Sequence, residues 1–454
     1  MRVLCLSNGH GEDAIAVRIC RELQQQSNSL ELAALPLVGE GRAYTQLDIP
    51  LIGSVRTMPS GGFIYMDGRQ LMRDVKGGLL QLTLAQHRAI RDWAKTGGAI
   101  LAVGDIVPLL FAWLSGLPYA FVGTAKSEYY LKDEAGQLPR RTRANRWEGW
   151  SGSVYLPWER WLMRPRRCVA VFPRDTLTTE TLQKMSIRAF DLGNPMMDGI
   201  QPENTAPIFY DPNAELKEQA RSLVVTLLPG SRPPEAYENW EKILLACSGL
   251  MDAFRDRSLV LLGAIAPGLN LDELRLICES LGWRQPKQEV EAKIGISEVG
   301  DIKDSDNSSQ EVRKSPSVQQ HISDPDAITL VQQKATLILS QNAYSECLNK
   351  GDLAIAMAGT ATEQFVGLGK PAIAIPGNGP QFNPTFAEAQ TRLLGPSLIL
   401  VERPAKVGDV VKFILRDPDR LQLIAENGRR RMGEPGAASR IAGCFIERLT
   451  QFSS

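Results

Sequence analysis

Four stretches of the chain bring together residue types that could do chemistry. LLPGSR, residues 227–232, runs from an apolar strand into a turn. Gly230 lets a ligand approach the backbone, Ser231 offers a hydroxyl, and the amides of a following helix start would point at an anion. Arg232 can fork onto phosphate oxygens. The stretch is either a diphosphate cradle or a turn with a surface arginine. AMAGTATEQF, residues 356–365, offers small residues after a strand. Gly359 would admit a ligand, Thr360 and Thr362 could cap the helix and donate to phosphate, and Glu363 would stand in the first turn. An acid there either holds the two hydroxyls of a ribose or complements the helix dipole. PGNGPQFNP, residues 376–384, supplies the neutral amides Asn378 and Gln381, which suit sugar hydroxyls.

The fourth stretch is SNGHGEDAIA, residues 7–16. It could be an anion cradle, a catalytic corner or a tight turn with a capped helix. Once the second half supplies three better phosphate and sugar loops, Asn8, Gly9 and Gly11 are better placed as a wall that leaves room for a sugar or an acceptor. His10 titrates near ~6.5 when unperturbed, which suits a general base. The other candidate base is Asp105 in AVGDIVP, where an apolar setting would raise its pKa. Each has a structural alternative: a histidine bonded to backbone, and an aspartate capping the helix that contains Pro108. Glu12 and Asp13 read as acids at a helix start.

Positioning these loops requires strands that end beside them. Strands are predicted at 3–6, 30–36, 100–103, 119–122, 168–172 and 189–192, with helices at 13–25, 71–94 and 109–114. A second series follows a linker at 202–212. It has strands at 222–228, 259–262, 335–339, 353–357 and 372–375, a helix at 235–256, and a helical tail at 416–452. Such alternation predicts two doubly wound α/β domains, whose ligands bind at the carboxyl ends of the strands. Residues 99–123 form a near-continuous apolar run about as long as a membrane span. Asp105, Pro108, Gly116 and Pro118 interrupt it, so it reads as strand, helix and strand of a buried parallel sheet. Residues 286–325 are polar and Ser-rich, and read as a flexible insertion.

Bulk properties narrow the partners. A formal net charge of zero gives no general attraction to nucleic acid. Seven scattered cysteines without a CxxC fit neither a disulfide framework nor a zinc site, and three histidines exclude a histidine-rich metal centre. No secretory leader is read at the start of the sequence. Between residues 126 and 167, Arg140, Arg141, Arg143, Arg146, Arg160, Arg164, Arg166 and Arg167 interleave with Trp147, Trp150, Trp158 and Trp161. That composition fits a membrane interface or the mouth of a lipid-acceptor site. Buried tryptophans with solvated arginines, or stacking on nucleic acid, are the alternatives.

VTLLPGSR, the Gly-Thr-Ala-Thr-Glu-Gln helix start and AFDLGNPMMDGI (189–200) together resemble lipid-A-disaccharide synthase. The likeness is greatest to the related proteins of cyanobacteria and plastid-bearing organisms. The resemblance implies a GT-B fold, two Rossmann-like domains facing across a cleft with a helical C-terminal tail. It implies an inverting, metal-independent glycosyltransferase without a cofactor beyond its UDP-sugar donor. Gly230, Ser231 and Arg232 would then meet the diphosphate; Gly359, Thr360, Thr362 and Glu363 would hold the nucleotide. Asp13 corresponds to an aspartate entering the family's first helix and joins His10 and Asp105 as a catalytic candidate. The expected division is an acceptor domain at 1–205, a UDP-sugar domain at 206–425 and a helix at 426–454 packing back across them. The expected partners are the UDP-sugar, a lipid-like acceptor and a membrane surface met through 140–167, for a cytoplasmic, peripherally membrane-associated protein. A UDP-sugar 2-epimerase-like enzyme and a non-catalytic membrane-associated scaffold are the alternatives.

Overall fold

The computed structural model describes residues 1–9, 11–27, 29–55, 79–139, 149–200, 221–286 and 322–453. The first apolar runs become parallel strands. They are β1 (Arg2–Ser7), β2 (Glu31–Pro36), β3 (Ala99–Gly104) and β4 (Tyr119–Gly123); β5 (Lys132–Asp133) and β6 (Gly136–Gln137) form a two-residue hairpin, and β7 (Cys168–Phe172) completes the sheet. The sheet order is β2-β1-β3-β4-β7. The strands are buried almost throughout, as runs with helices on both faces must be. Leu4, Leu6, Ile100, Tyr119, Phe121 and Val171 anchor the core.

Helices α1 (Gly11–Gln26), α2 (Arg42–Thr45), α3 (Leu79–Ala94), α4 (Ile106–Leu114), α5 (Pro157–Met163) and α6 (Thr176–Lys184) connect them. The apolar run at 99–123 resolves into β3, α4 and β4. Helix α4 starts three residues earlier than its sequence suggests. Asp105 caps it, and Pro108 falls in the first turn, where a missing N–H costs nothing. The strand expected at 189–192 reduces to one bridge, Val171 to Ala189. Among the described residues, no helix is long and apolar enough to cross a membrane.

The second sheet is built from β8 (Leu223–Leu228), β9 (Leu259–Ala264), β10 (Ile328–Gln332), β11 (Ala335–Ser340), β12 (Leu353–Ala356), β13 (Ala372–Ala374) and β14 (Leu398–Leu400), in the order β10-β11-β9-β8-β12-β13-β14. β10 is antiparallel to its neighbour β11. Neither β10 nor β14 is expected from the sequence. Helices α7 (Glu235–Ala253), α8 (Leu271–Ser280), α9 (Tyr344–Lys350), α10 (Thr360–Gly367), α11 (Pro384–Leu394) and α12 (Val407–Leu415) flank it. At the end of the 286–325 stretch, Ile322 and Asp324 are buried, and Asp324 accepts from Ser340 at 2.6 Å. The rest of that stretch, 287–321, lies outside the described residues.

The chain gathers into two compact units, one of Met1–Thr205, Met357–Glu402 and Ile414–Ser454, the other of Ala206–Ala356 and Arg403–Phe413. The tail expected as one helical stretch is two helices, α13 (Pro418–Met432) and α14 (Ala437–Ser453), broken at Gly433 and Pro435. Helix α14 packs on α1 within the first unit. The carboxylate of Asp198 accepts from the backbone N–H groups of Gly436, Ala437 and Ala438, which satisfies the donors that a helix start leaves open.

Candidate functional site

In an open α/β sheet the ligand crevice lies where the strand order reverses. The first sheet reverses between β1 and β3, and the residues that follow them in the chain are Asn8 and Asp105. Thr124 follows β4, whose last residue Gly123 is in register with Gly104 of β3. Four polar side chains meet at this edge: Asn8, Glu12, Asp105 and Thr124.

Gly9 makes the turn possible. Its φ is +110°, and a Cβ there would sit 2.4 Å from the Val38 carbonyl oxygen. Its own carbonyl accepts from the Glu12 N–H at 3.1 Å and starts α1. Gly11 opens onto empty space, since an added Cβ would meet nothing within 4 Å. His10 lies outside the described residues. Asp13 is turned away from the edge and into the core. It is 5% exposed and accepts from Ser7 Oγ at 2.5 Å, which in turn accepts from the Tyr44 hydroxyl at 2.6 Å. This contact ties α1 to β1 and α2.

Asp105 is buried and caps α4, accepting from the Val107 N–H at 2.8 Å. Burial raises its pKa; the side-chain amide of Asn8, the Val107 N–H and the charge of Lys126 oppose the rise. Glu12 is pushed up to about 7, first by desolvation and then by the nearby charges of Asp105 and Asp13, against hydrogen bonding from its own N–H and from Thr124. The Thr124 hydroxyl therefore faces the Glu12 carboxyl, yet it makes no bond of ordinary geometry; Asn8 Oδ1 also has no partner. Lys126 is held by Glu159 at 2.6 Å. Glu12, which the sequence presents as an acid at a helix start, also belongs to this edge; its signal in the sequence is an acid three residues beyond a turn glycine.

The second sheet reverses between β8 and β12. Leu228 and Ala356 end these strands in register. Gly230 has φ +97°, Ser231 is exposed and Arg232 half-buried. Asn239 of α7 pins the loop by donating to the Pro229 carbonyl at 3.0 Å.

Gly359 starts α10 without a side-chain cap, and Thr360 is exposed. Thr362 does not play the expected capping and phosphate role. It is fully buried and its hydroxyl donates to the Ala358 carbonyl, four residues back, at 2.6 Å. Gln390 of α11, absent from the sequence reading, donates to the carbonyls of Ala358 and Gly359 at 3.2 and 3.1 Å. Asn378 and Gln381 are exposed in the loop after β13, and Asn383 caps α11.

Glu363 has a protein partner. Its carboxylate accepts from Arg174 Nη2 at 2.7 Å, both side chains being buried. Arg174 also donates from Nη1 to the Thr124 carbonyl at 3.1 Å. Burial alone would lower its pKa, but Glu363 and Tyr130 hold it above its ordinary value. A continuous set of contacts thus runs from α10 through Arg174 to Thr124 and the Glu12 edge.

The arrangement offers one group titrating near neutrality, one capped aspartate and unpartnered hydrogen-bonding atoms at a strand-end crevice. No protein-family model matches the chain, and no curated protein matches its sequence. Solved structures do match over its whole length. CalG4, the calicheamicin glycosyltransferase, aligns with TM-score 0.54 at 11% identity over 99% of this chain and 98% of its own. The UDP-GlcNAc 2-epimerase of Neisseria meningitidis, bound to UDP-GlcNAc, aligns with TM-score 0.51 at 15% identity over 99% and 100%. MnaA of S. aureus, solved with UDP, aligns with TM-score 0.52 at 12% identity over 100% and 98%. The likeness defines the fold: GT-B, two α/β domains with a helical C-terminal tail.

Proposed function

We propose that the protein is an inverting, metal-independent glycosyltransferase that moves a sugar from a UDP-sugar to a lipid-like acceptor, as lipid-A-disaccharide synthase does. The donor part of the reading is supported by LPGSR and the 357–363 loop at a strand-order reversal, and by the UDP and UDP-GlcNAc bound in two structures of the same fold. Arg232, Ser231 and the amides around Gly230 would take up the charge that develops on the leaving diphosphate. Glu363 would reach the ribose only by sharing its carboxylate with Arg174.

The observation that carries the acceptor is helix α4. Its first turn is capped by Asp105, and one turn apart on its far half Leu110 and Leu114 are each 41% exposed. Trp113 packs against Trp161 of α5, the rings tilted by 52° with centroids 5.0 Å apart. Trp158 and Trp161, three residues apart on α5, are more than half exposed, and Arg164 and Arg166 are exposed just beyond. An apolar face edged by arginines suits the interface of an anionic membrane. One short helix would join that face to the candidate site. Residues 140–148 of the Arg/Trp segment lie outside the described residues.

A UDP-sugar 2-epimerase is the second reading, and it needs no such face. Incubation with labelled UDP-sugars and phospholipid vesicles carrying extracted lipids separates the two. Label in the lipid phase supports transfer; an altered UDP-sugar without acceptor supports epimerisation. If UDP fails to raise the melting temperature, both enzyme readings fall and the scaffold reading stands.

A further inference from the structure

We propose that Glu12 takes the proton from the incoming acceptor hydroxyl, with Asp105, the cap of α4 at the β1–β3 reversal, as a positioning residue. This rests on the glycosyl-transfer reading and names the base within it.

Three observations support it. First, Thr124 is 9% exposed, and its hydroxyl faces Glu12 without a bond of ordinary geometry. Asn8 Oδ1 is unpartnered at the same edge. Buried polar atoms rarely go unsatisfied, so the edge has hydrogen-bonding capacity set aside for a hydroxyl-bearing ligand. Second, Asp105 is committed elsewhere. It accepts from the Val107 N–H at 2.8 Å and from the Asn8 amide, contacts that occupy its carboxylate and fix the start of α4. Third, Glu12 lies in the first turn after β1, beside the reversal between β1 and β3.

The charged neighbours support the same assignment. Asp13 on the same helix and Asp105 from α4 both favour the protonated form of Glu12. Lys126 beyond β4 acts on Asp105 instead. Glu12 consequently titrates near the pH at which a general base is most effective. In the reaction the acceptor oxygen bonds to the anomeric carbon as its proton passes to Glu12. The bond from that carbon to the donor phosphate breaks, and UDP departs with the electron pair.

The test uses the full chain with UDP-sugar and vesicle-borne acceptor, alongside ¹³C carboxyl NMR of Glu12. Wild-type kcat/KM should rise through a midpoint near the Glu12 titration. Glu12→Gln should lose about 100-fold or more in turnover while binding UDP normally. Asp105→Asn should move both the kinetic midpoint and the Glu12 NMR midpoint to lower pH, because it removes a neighbouring charge while keeping a helix cap. A Glu12→Gln enzyme with turnover within threefold of wild type overturns the assignment, as does a Glu12 midpoint unmoved by Asp105→Asn. If the wild type transfers no sugar at all, the glycosyl-transfer reading fails and takes the base role with it. That outcome differs from transfer that survives the loss of Glu12.

Discussion

The Glu363 carboxylate can be removed while Arg174 stays in place, and the structure sets the scale of the result. The two groups are 2.7 Å apart, with side-chain exposures of 3% for Arg174 and 10% for Glu363. In Glu363→Ala the guanidinium keeps the Thr124 carbonyl, the Met432 sulfur and the nearby charge of buried Asp175, and its Nε already lacks a partner. Removing one partner of a buried ion pair costs about 3–5 kcal/mol. In urea, with an m value on the order of 3 kcal/mol/M, the unfolding midpoint should fall by ~1 M or more. Replacing both groups, Arg174→Met with Glu363→Leu, should restore most of the loss, because the desolvation cost disappears with the charges. Circular dichroism across a urea series measures all three proteins. A Glu363→Ala midpoint within about 0.2 M of wild type would refute the reasoning, since at that m value it corresponds to a cost below ~1 kcal/mol. The ribose role should be read from Glu363→Gln, which keeps an acceptor oxygen for Arg174.

Three further outcomes are expected. Folded Glu12 keeps its proton up to about 7 against an ordinary 4.5, so the folded state binds more protons between those values and wild-type stability falls as pH rises through them. Glu12→Gln should therefore match wild type near pH 4 and exceed it above pH 7, by up to about 3 kcal/mol; equal denaturation midpoints at pH 8 would count against a strained Glu12. Arg232→Ala should weaken UDP binding about tenfold or more by calorimetry, the loss of a charge-assisted bond; unchanged affinity would remove Arg232 from the diphosphate site. Trp158→Ser with Trp161→Ser should abolish co-sedimentation with anionic vesicles and leave UDP binding intact; unchanged sedimentation would remove the membrane face.

Several elements were legible in the sequence because one physical rule produced each of them. Strands covered on both faces must be apolar throughout, which is why β1, β3, β4 and β8 stand out as short runs ending in Gly, Asn or Pro-Gly turns. The same rule identified residues 99–123 as two strands and a helix. It failed where strands are short or half covered: β14 has three residues, and β10 is mostly half-buried at the sheet edge. Thr362 was misread because its hydroxyl has two partners within local reach, the open amides ahead and the carbonyl behind; burial selected the second.

Glu12 and Asp13 show where local information ends. Two adjacent acids at a helix start look alike in sequence, and both suit the helix dipole. Their roles depend on the Gly9 turn, which aims Asp13 at Ser7 and leaves Glu12 beside Asp105. The sequence by itself determined the alternation of strands and helices, the loops at their carboxyl ends and the concentration of arginine and tryptophan, since each follows from residue type and short-range spacing. Only the tertiary structure decided which polar groups pair. Arg174 and Glu363 are 189 positions apart, and the Glu12–Asp105 pair comes from two strand ends joined by a parallel sheet. A buried charge is controlled by the groups a few ångströms away in space, and distance along the chain does not reveal them.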